Sequence, residues 1–226
     1  MRIGVLLSGC GVYDGAEIQE AVLTLLGIDQ LGWESVCISI DKTQHHVINH
    51  LDGKEMQESR NMLVESARIA RGKITSINHI TPADIDALVI PGGFGSAKNF
   101  TSWAFDGPNS TILPEVKLLL VNMVNVGKPI VALCVSPVVL ARAFEGSSIH
   151  PTLSLGSSVY DSPYDISSFH EGLQQSAAQT QNCSIQEVLV DEPNRIICAP
   201  CYMMDASIGS VHANIQKALH TLSQFI

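Results

Sequence analysis

Cys134 ends an apolar run at residues 130–133 and is followed by Val135, Ser136, Pro137 and a second apolar stretch at 138–141. The run has the length of a buried strand, and the stretch reads as the first turns of a packed helix. Ser136 suits the N-cap and Pro137 the first helical position, where a missing N–H costs nothing. The pattern puts a cysteine on a sharp strand-to-helix turn beside a helix N-terminus. There the sulfur stands above the sheet and its thiolate is favoured. A buried structural cysteine accounts for the same residues, since free cysteine is among the most buried side chains.

Two further signals suit a nucleophilic thiol. Gly92 and Gly93 end another apolar run, at 85–90. Glycine lets backbone N–H groups turn toward a ligand and approach it closely. Two such donors near Cys134 would hold the oxyanion of a carbonyl under attack; a tight turn uses the same pair. Glu17 and Glu20 open the first helix as neighbours on one face. A carboxyl held near a thiolate in a desolvated cleft has its pKa raised by the like charge and by loss of water. It can then donate a hydrogen bond to sulfur and move protons. Acidic residues also favour helix N-termini for dipole reasons, which explains at least one of the two without chemistry.

The elements that must position these groups follow from hydrophobic period and turn residues. Residues 3–7 read as a strand buried on both faces. A glycine-rich loop, 8–15, carries Cys10. A helix from about Ala16 has Ile18, Val22, Leu25 and Leu26 at inward spacing, and Gly32 stops it. A second strand at 35–40 completes a βαβ unit, so the sheet is expected to be parallel with a right-handed crossover. Residues 41–80 are less regular, with a turn at 49–53 and a helix at 58–70 on which Met62, Leu63, Ala67 and Ile69 partly share a face. Arg60, Glu65 and Arg68 read there as a solvated, salt-bridged edge. Strand 85–90 leads to helix 115–126, with Val116, Leu119, Leu120, Met123 and Val124 inward and Gly127 as its cap. After the Pro137 helix come a loop with a short strand at 152–155, a weak helix at 172–181 and a hairpin at 187–190 and 195–198. A last helix at 205–223 has Ile208, Val211, Ile215 and Leu219 inward. No repeat or linker divides the chain, so one domain, 1–226, is expected, with 41–80 as an insertion. Loops 9–15, 91–95 and 134–137 all lie at carboxyl ends of predicted strands, where ligands bind in an open parallel sheet.

The 226 residues are 46% hydrophobic, enough for a large core, and the formal charge is −9 with no Lys/Arg block. Nucleic acid and anionic membrane surfaces are therefore not expected partners. The opening apolar strand is too short for a secretory signal, and no apolar run approaches membrane-spanning length, so a cytoplasmic location is the expectation. The six cysteines are scattered and do not form a disulfide framework. Cys198 and Cys201 have the spacing of a redox or zinc pair, but no second pair completes a zinc site and they follow a strand rather than open a helix. They read as incidental, and no metal site is expected.

The stretches LSGCGVYDGAEIQEAVLTLL, VINHLDGKEMQESRNMLVESARIARG, DALVIPGGFGSAKNF, GKPIVALCVSP and VDEPNRIICAPCYM run nearly from end to end. With them the chain resembles the DJ-1/PfpI superfamily and, within it, the ElbB family of isoprenoid-biosynthesis proteins and glyoxalases. The resemblance implies an α/β, flavodoxin-like three-layer sandwich with a mostly parallel sheet and a nucleophile elbow, as in class I glutamine amidotransferases. It implies Cys134 as nucleophile, Gly92 and Gly93 as the oxyanion loop, and Glu20, or failing it Glu17, as the acid. Asn49, Arg60 and Arg68 fall in its family-specific stretches and would hold an anionic substrate group. Cys10 would face the ligand or resolve a disulfide, or simply pack. PfpI-type proteins carry His where this chain has Val135, and the glycines and His-x-Glu of amidotransferases are absent; His150 is a surface histidine on this alignment. Protease and amidotransferase chemistry are disfavoured. The implied reaction is cofactor-free, glutathione-independent conversion of a small reactive aldehyde, glyoxal or methylglyoxal, to a hydroxyacid. The superfamily also implies a homodimer. A redox-sensing or chaperone-like protein, or an accessory factor in isoprenoid metabolism, is the competing expectation.

Overall fold

A computed structural model describes all 226 residues. In chain order its strands and helices are β1 (Arg2–Leu6), α1 (Ile18–Gln30), β2 (Glu34–Ser39), β3 (Val47–Ile48), β4 (Glu55–Met56), α2 (Met62–Ile69), β5 (Thr75–Ser76) and β6 (Ala87–Ile90). They continue with α3 (Trp103–Asp106), α4 (Pro114–Asn125), β7 (Ile130–Leu133), α5 (Pro137–Phe144), β8 (Thr152–Leu153) and α6 (Ile166–Gln175). The last are β9 (Gln179–Thr180), β10 (Leu189–Asp191), β11 (Ile196–Ala199) and α7 (Ile208–Leu222).

Seven of the strands form one sheet in the order β10-β11-β7-β6-β1-β2-β5, parallel except for the β10–β11 hairpin at one edge. Every residue of β6, β7 and β11 is buried, as near-continuous apolar runs require when helices cover both faces. α1 packs on α7 and α4 on α5, flanking the sheet. This is the doubly covered, mostly parallel architecture that the sequence implies. Residues 41–80 supply the β3–β4 hairpin, α2 and the edge strand β5. α6 begins earlier than its weak periodicity suggests, because the Asp165 carboxylate caps it by accepting the Ser168 N–H at 3.0 Å.

α1 is turned relative to the expected face. Ile18, Val22 and Leu26 are exposed at 45%, 48% and 41%, and Leu25 is half-buried. Glu20, Ala21, Thr24, Gly27 and Ile28 point inward instead. The reason is close approach: a Cβ on Gly27 would lie 2.5 Å from Leu219 Cδ1 of α7, so only small side chains fit between the two helices. Ile208, at the first turn of α7, is likewise exposed. Thr24 is fully buried on the inner face of α1, and its hydroxyl has no hydrogen-bond partner. Thr24→Val keeps the shape and removes the orphaned polar group. It is expected to raise stability by about 1 kcal/mol, seen as a higher urea midpoint at unchanged slope. An unmoved midpoint would show that the hydroxyl is satisfied.

Candidate active site

Strands β1, β6, β7 and β11 deliver their carboxyl ends to one edge of the sheet. Cys134 follows β7 directly and adopts φ 56°, in the left-handed region. For a residue with a Cβ this costs on the order of 1–2 kcal/mol. The strain is held from two sides. The Cys134 N–H donates to the Ala199 carbonyl at 2.9 Å, and the Ser136 hydroxyl donates to the Ile90 carbonyl at 2.9 Å. Ser136 is therefore not the side-chain cap expected of it. Its backbone is already helical, and its hydroxyl ties the elbow to the end of β6.

The loops after β1 and β6 are zipped together by backbone bonds. Glu17 N–H donates to Gly92 O at 2.9 Å, Phe94 N–H to Val12 O at 2.8 Å and Gly95 N–H to Gly15 O at 2.9 Å. This fixes where α1 starts. Glu17 is its N-cap, its carboxylate accepting the Glu20 N–H at 2.6 Å, and one turn later Glu20 projects into the protein, fully buried. The Glu20 carboxyl accepts Gly92 N–H at 2.8 Å and Tyr202 N–H at 3.3 Å, and meets the Cys134 thiol. Gly93, at φ 94°, and Val135 turn their N–H groups to the sulfur. Gly92 N–H is thus occupied by Glu20, and the donors at the sulfur are Gly93 and Val135.

Burial, and then the Glu17 charge, push the Glu20 carboxyl up to about 8, against the pull of the Tyr202 and Gly92 amides. Burial, and then the Glu20 charge, push the Cys134 thiol well above its ordinary value, while the amides of Gly93 and Val135 pull it down. The thiolate expected from the helix terminus is therefore not the resting state. The sulfur is only 7% exposed as a residue, and desolvation outweighs the eight-residue helix behind it. Burial and the like charge of its neighbour favour the neutral form of each group.

Around the sulfur the cleft leaves room of only about 20 Å³, space for about one water molecule. Its walls include Val12, Glu17, Phe94, Tyr164, Phe169 and Tyr202, with no histidine. Phe94 and Tyr164 meet edge to face at 6.0 Å between ring centres. These aromatic walls escaped the sequence reading. Phe94 and Tyr202 carried a signal: Phe94 lies in the 91–95 loop, and Tyr202 follows the predicted hairpin strand that becomes β11.

Of the residues singled out by sequence, Cys134, Glu20, Glu17, Gly92, Gly93 and Val135 come together here. Cys10, Asn49, Arg60 and Arg68 do not line this cleft. Arg68 bonds Glu65 at 3.0 Å, and Arg60 bonds Glu58 at 2.6 Å and lies 3.7 Å from Glu65. Both guanidiniums are thus paired within the 41–80 segment, as the salt-bridged edge requires. Cys10 lies near that group, its thiol pushed up by burial and then by the Glu65 charge. Asn49 shapes the β3–β4 turn, its side-chain oxygen accepting the Leu51 N–H at 3.0 Å. His150 is exposed. Cys198 and Cys201 are both free and buried, and Cys201 abuts Cys134.

No family model matches the chain. It is 36% identical over 216 residues to the human mitochondrial glutamine amidotransferase-like class 1 domain-containing protein 3, covering 95% of this chain and 79% of that one. The rat mitochondrial ES1 protein homolog is also 36% identical, with 95% and 80% covered. Among solved structures, an isoprenoid biosynthesis protein with an amidotransferase-like domain from Ehrlichia chaffeensis superposes with TM-score 0.89 at 34% identity over the whole of both chains. Glyoxalase III of Candida albicans, at 12% identity, covers 100% of this chain and 98% of its own with TM-score 0.63, a likeness of fold.

Proposed function

Since the chain belongs to the ES1- and ElbB-like branch of the DJ-1/PfpI superfamily, we propose that it is a cofactor-independent Cys/Glu enzyme that turns glyoxal or methylglyoxal into the hydroxyacid. The observation that carries the reading is the Glu20 carboxyl, fully buried against the Cys134 sulfur and poised at about 8. A group with such a pKa both takes and gives a proton near neutrality.

Cys134 sulfur adds to the aldehyde carbon as Glu20 passes the thiol proton to the carbonyl oxygen, giving a hemithioacetal. Gly93 and Val135 N–H groups, turned to the sulfur, are the donors available to the charge that develops beside it. Glu20 then removes the proton from the former aldehyde carbon and returns it to the neighbouring carbon, while the hydroxyl proton of the first carbon passes to the neighbouring carbonyl oxygen through the enediol. The hemithioacetal has become a thioester of the 2-hydroxyacid. Water cleaves it, releasing the acid and restoring the thiol. The narrow space at the sulfur and its aromatic walls exclude bulky substrates, and even a two-carbon aldehyde must displace the walls to enter. Amide hydrolysis lacks the histidine that would protonate an amine leaving group, since none lines the cleft.

Purified protein without glutathione is expected to consume glyoxal and yield glycolate, and Cys134→Ala to abolish the activity. Glu20→Gln is expected to slow turnover by about 10²–10⁴-fold. The wild-type rate should climb as pH rises through about 8, as Glu20 gains its basic form. Equal consumption by wild type and Cys134→Ala would refute the assignment.

A further inference from the structure

Two residues with a Cβ stand side by side in left-handed backbone at the carboxyl ends of neighbouring strands: Cys134 at φ 56° and Cys201 at φ 45°. β7 and β11 are paired in parallel, with Leu133 opposite Ala199, so Cys134 leaves one strand where Pro200 and Cys201 leave the other. Adjacent strands lie about 4.8 Å apart and one residue of offset adds about 3.3 Å along them, a separation of about 6 Å that is within the Cα range, about 4.4–6.8 Å, that a disulfide spans. The Cys201 sulfur lies against the Cys134 backbone N–H. Cys201 is fully buried, its own N–H donating to Asn214 Oδ1 at 3.1 Å. The aldehyde reaction leaves Cys201 without a part. Strained non-glycine residues persist where the surroundings over-determine them, and they cluster at reactive sites.

We propose that Cys201 is a resolving thiol for Cys134, so that oxidation by a hydroperoxide ends in a reversible Cys134–Cys201 disulfide and not in an over-oxidised sulfur. In the first step the Cys134 sulfur takes the terminal oxygen of the peroxide. The O–O bond breaks, the sulfur is oxidised to the sulfenic acid, and the peroxide is reduced to water or an alcohol. In the second step the Cys201 sulfur attacks the sulfenic sulfur. The S–S bond forms, the S–O bond breaks, and hydroxide leaves as water with the thiol proton of Cys201. Glu20 is placed to carry that proton: its carboxyl meets Cys134 and accepts the N–H of Tyr202, the residue after Cys201. A dithiol reductant returns both thiols. Cys198, two strand positions short of the elbow level and paired with Ala132, takes no part. The proposal needs no aldehyde turnover and stands apart from the reading above.

The test is intact-mass and non-reducing peptide analysis of the full chain after reduction, removal of reductant and addition of equimolar hydrogen peroxide. The expected result is loss of two hydrogens, with a cross-linked peptide joining Cys134 to Cys201 that dithiothreitol separates. Cys198→Ser should behave the same. Cys201→Ser, given two or more equivalents of peroxide, should instead gain two oxygens at Cys134, which dithiothreitol does not reverse. A wild-type protein that gains oxygen without a cross-link overturns the proposal, as does a cross-link between Cys198 and Cys201. The wild-type mapping decides the matter even if Cys201→Ser folds poorly.

Discussion

Glu20→Gln is expected to stabilise the protein above neutral pH while removing its activity. The Glu20 carboxyl, fully buried, is held at about 8 from an ordinary 4.5. Between those values the folded chain keeps the proton and the unfolded chain has lost it. The folded state therefore binds more protons, and stability falls as pH rises. The loss begins near 4.5, continues through about 8 and then levels off. At roughly 1.4 kcal/mol per pKa unit it amounts to about 3–6 kcal/mol. Glutamine has no charge to bury, but it keeps a single oxygen where Glu20 offers Oε2 to the Gly92 amide and Oε1 to the Tyr202 amide, so one of those N–H groups loses its acceptor. Urea unfolding at pH 5, 7 and 9 should show the variant below wild type at pH 5, by about 1–3 kcal/mol for the unpaired amide, and gaining on it by several kcal/mol between pH 5 and pH 9. Parallel curves for the two proteins would mean that Glu20 ionises as freely as a surface carboxylate. A gain in stability together with a loss of turnover would identify Glu20 as a group kept for chemistry at the expense of the fold.

What could be read from sequence follows from which physical signals were local. β6, β7 and β11 were legible because strands covered on both faces are continuous apolar runs, here ended by proline or cysteine. The elbow was legible because Pro137 permits only the first turn of a helix. The face of α1 was not, because Ile18, Val22 and Leu26 make the more apolar stripe, whereas Ala21, Thr24 and Gly27 win by being small enough for α7 to approach. That rotation also turns Glu20 inward and leaves Glu17 to cap, which no spacing argument could decide between. The protonation of Cys134 was misjudged for a related reason. A helix terminus is visible in sequence, but the enclosure that desolvates the sulfur depends on Phe94, Tyr164 and Tyr202, drawn from three separate loops. The pairing of Arg68 with Glu65 was legible from their spacing, whereas the Arg60–Glu58 pair was not read.

Gly92→Ala is expected to lose both stability and reactivity, and a second substitution should restore part of the first. A Cβ at position 92 would stand 2.3 Å from Cys134 Cβ, 2.6 Å from Glu20 Oε2 and 2.8 Å from Cys134 Sγ. No side-chain rotation clears the first of these, because Cys134 Cβ is fixed by an elbow bonded to Ala199 and Ile90. The loop at 91–95 must move away. Moving it pulls Gly92 N–H from Glu20, Gly93 N–H from the sulfur and Gly92 O from Glu17 N–H. Overpacking of this kind costs about 1–3 kcal/mol, occasionally more, and the broken bonds to buried groups add to it. About 3 kcal/mol or more is expected in urea unfolding, with glyoxal consumption and Cys134 alkylation both reduced. Cys134→Gly removes two of the three obstructing atoms and also relieves the φ of 56°. In the double variant the penalty at position 92 should therefore shrink by at least about 1 kcal/mol, a coupling typical of side chains in contact. Additive penalties would show that the loop yields without meeting Cys134, and that the close seat of Gly92 on the elbow does not hold the site together.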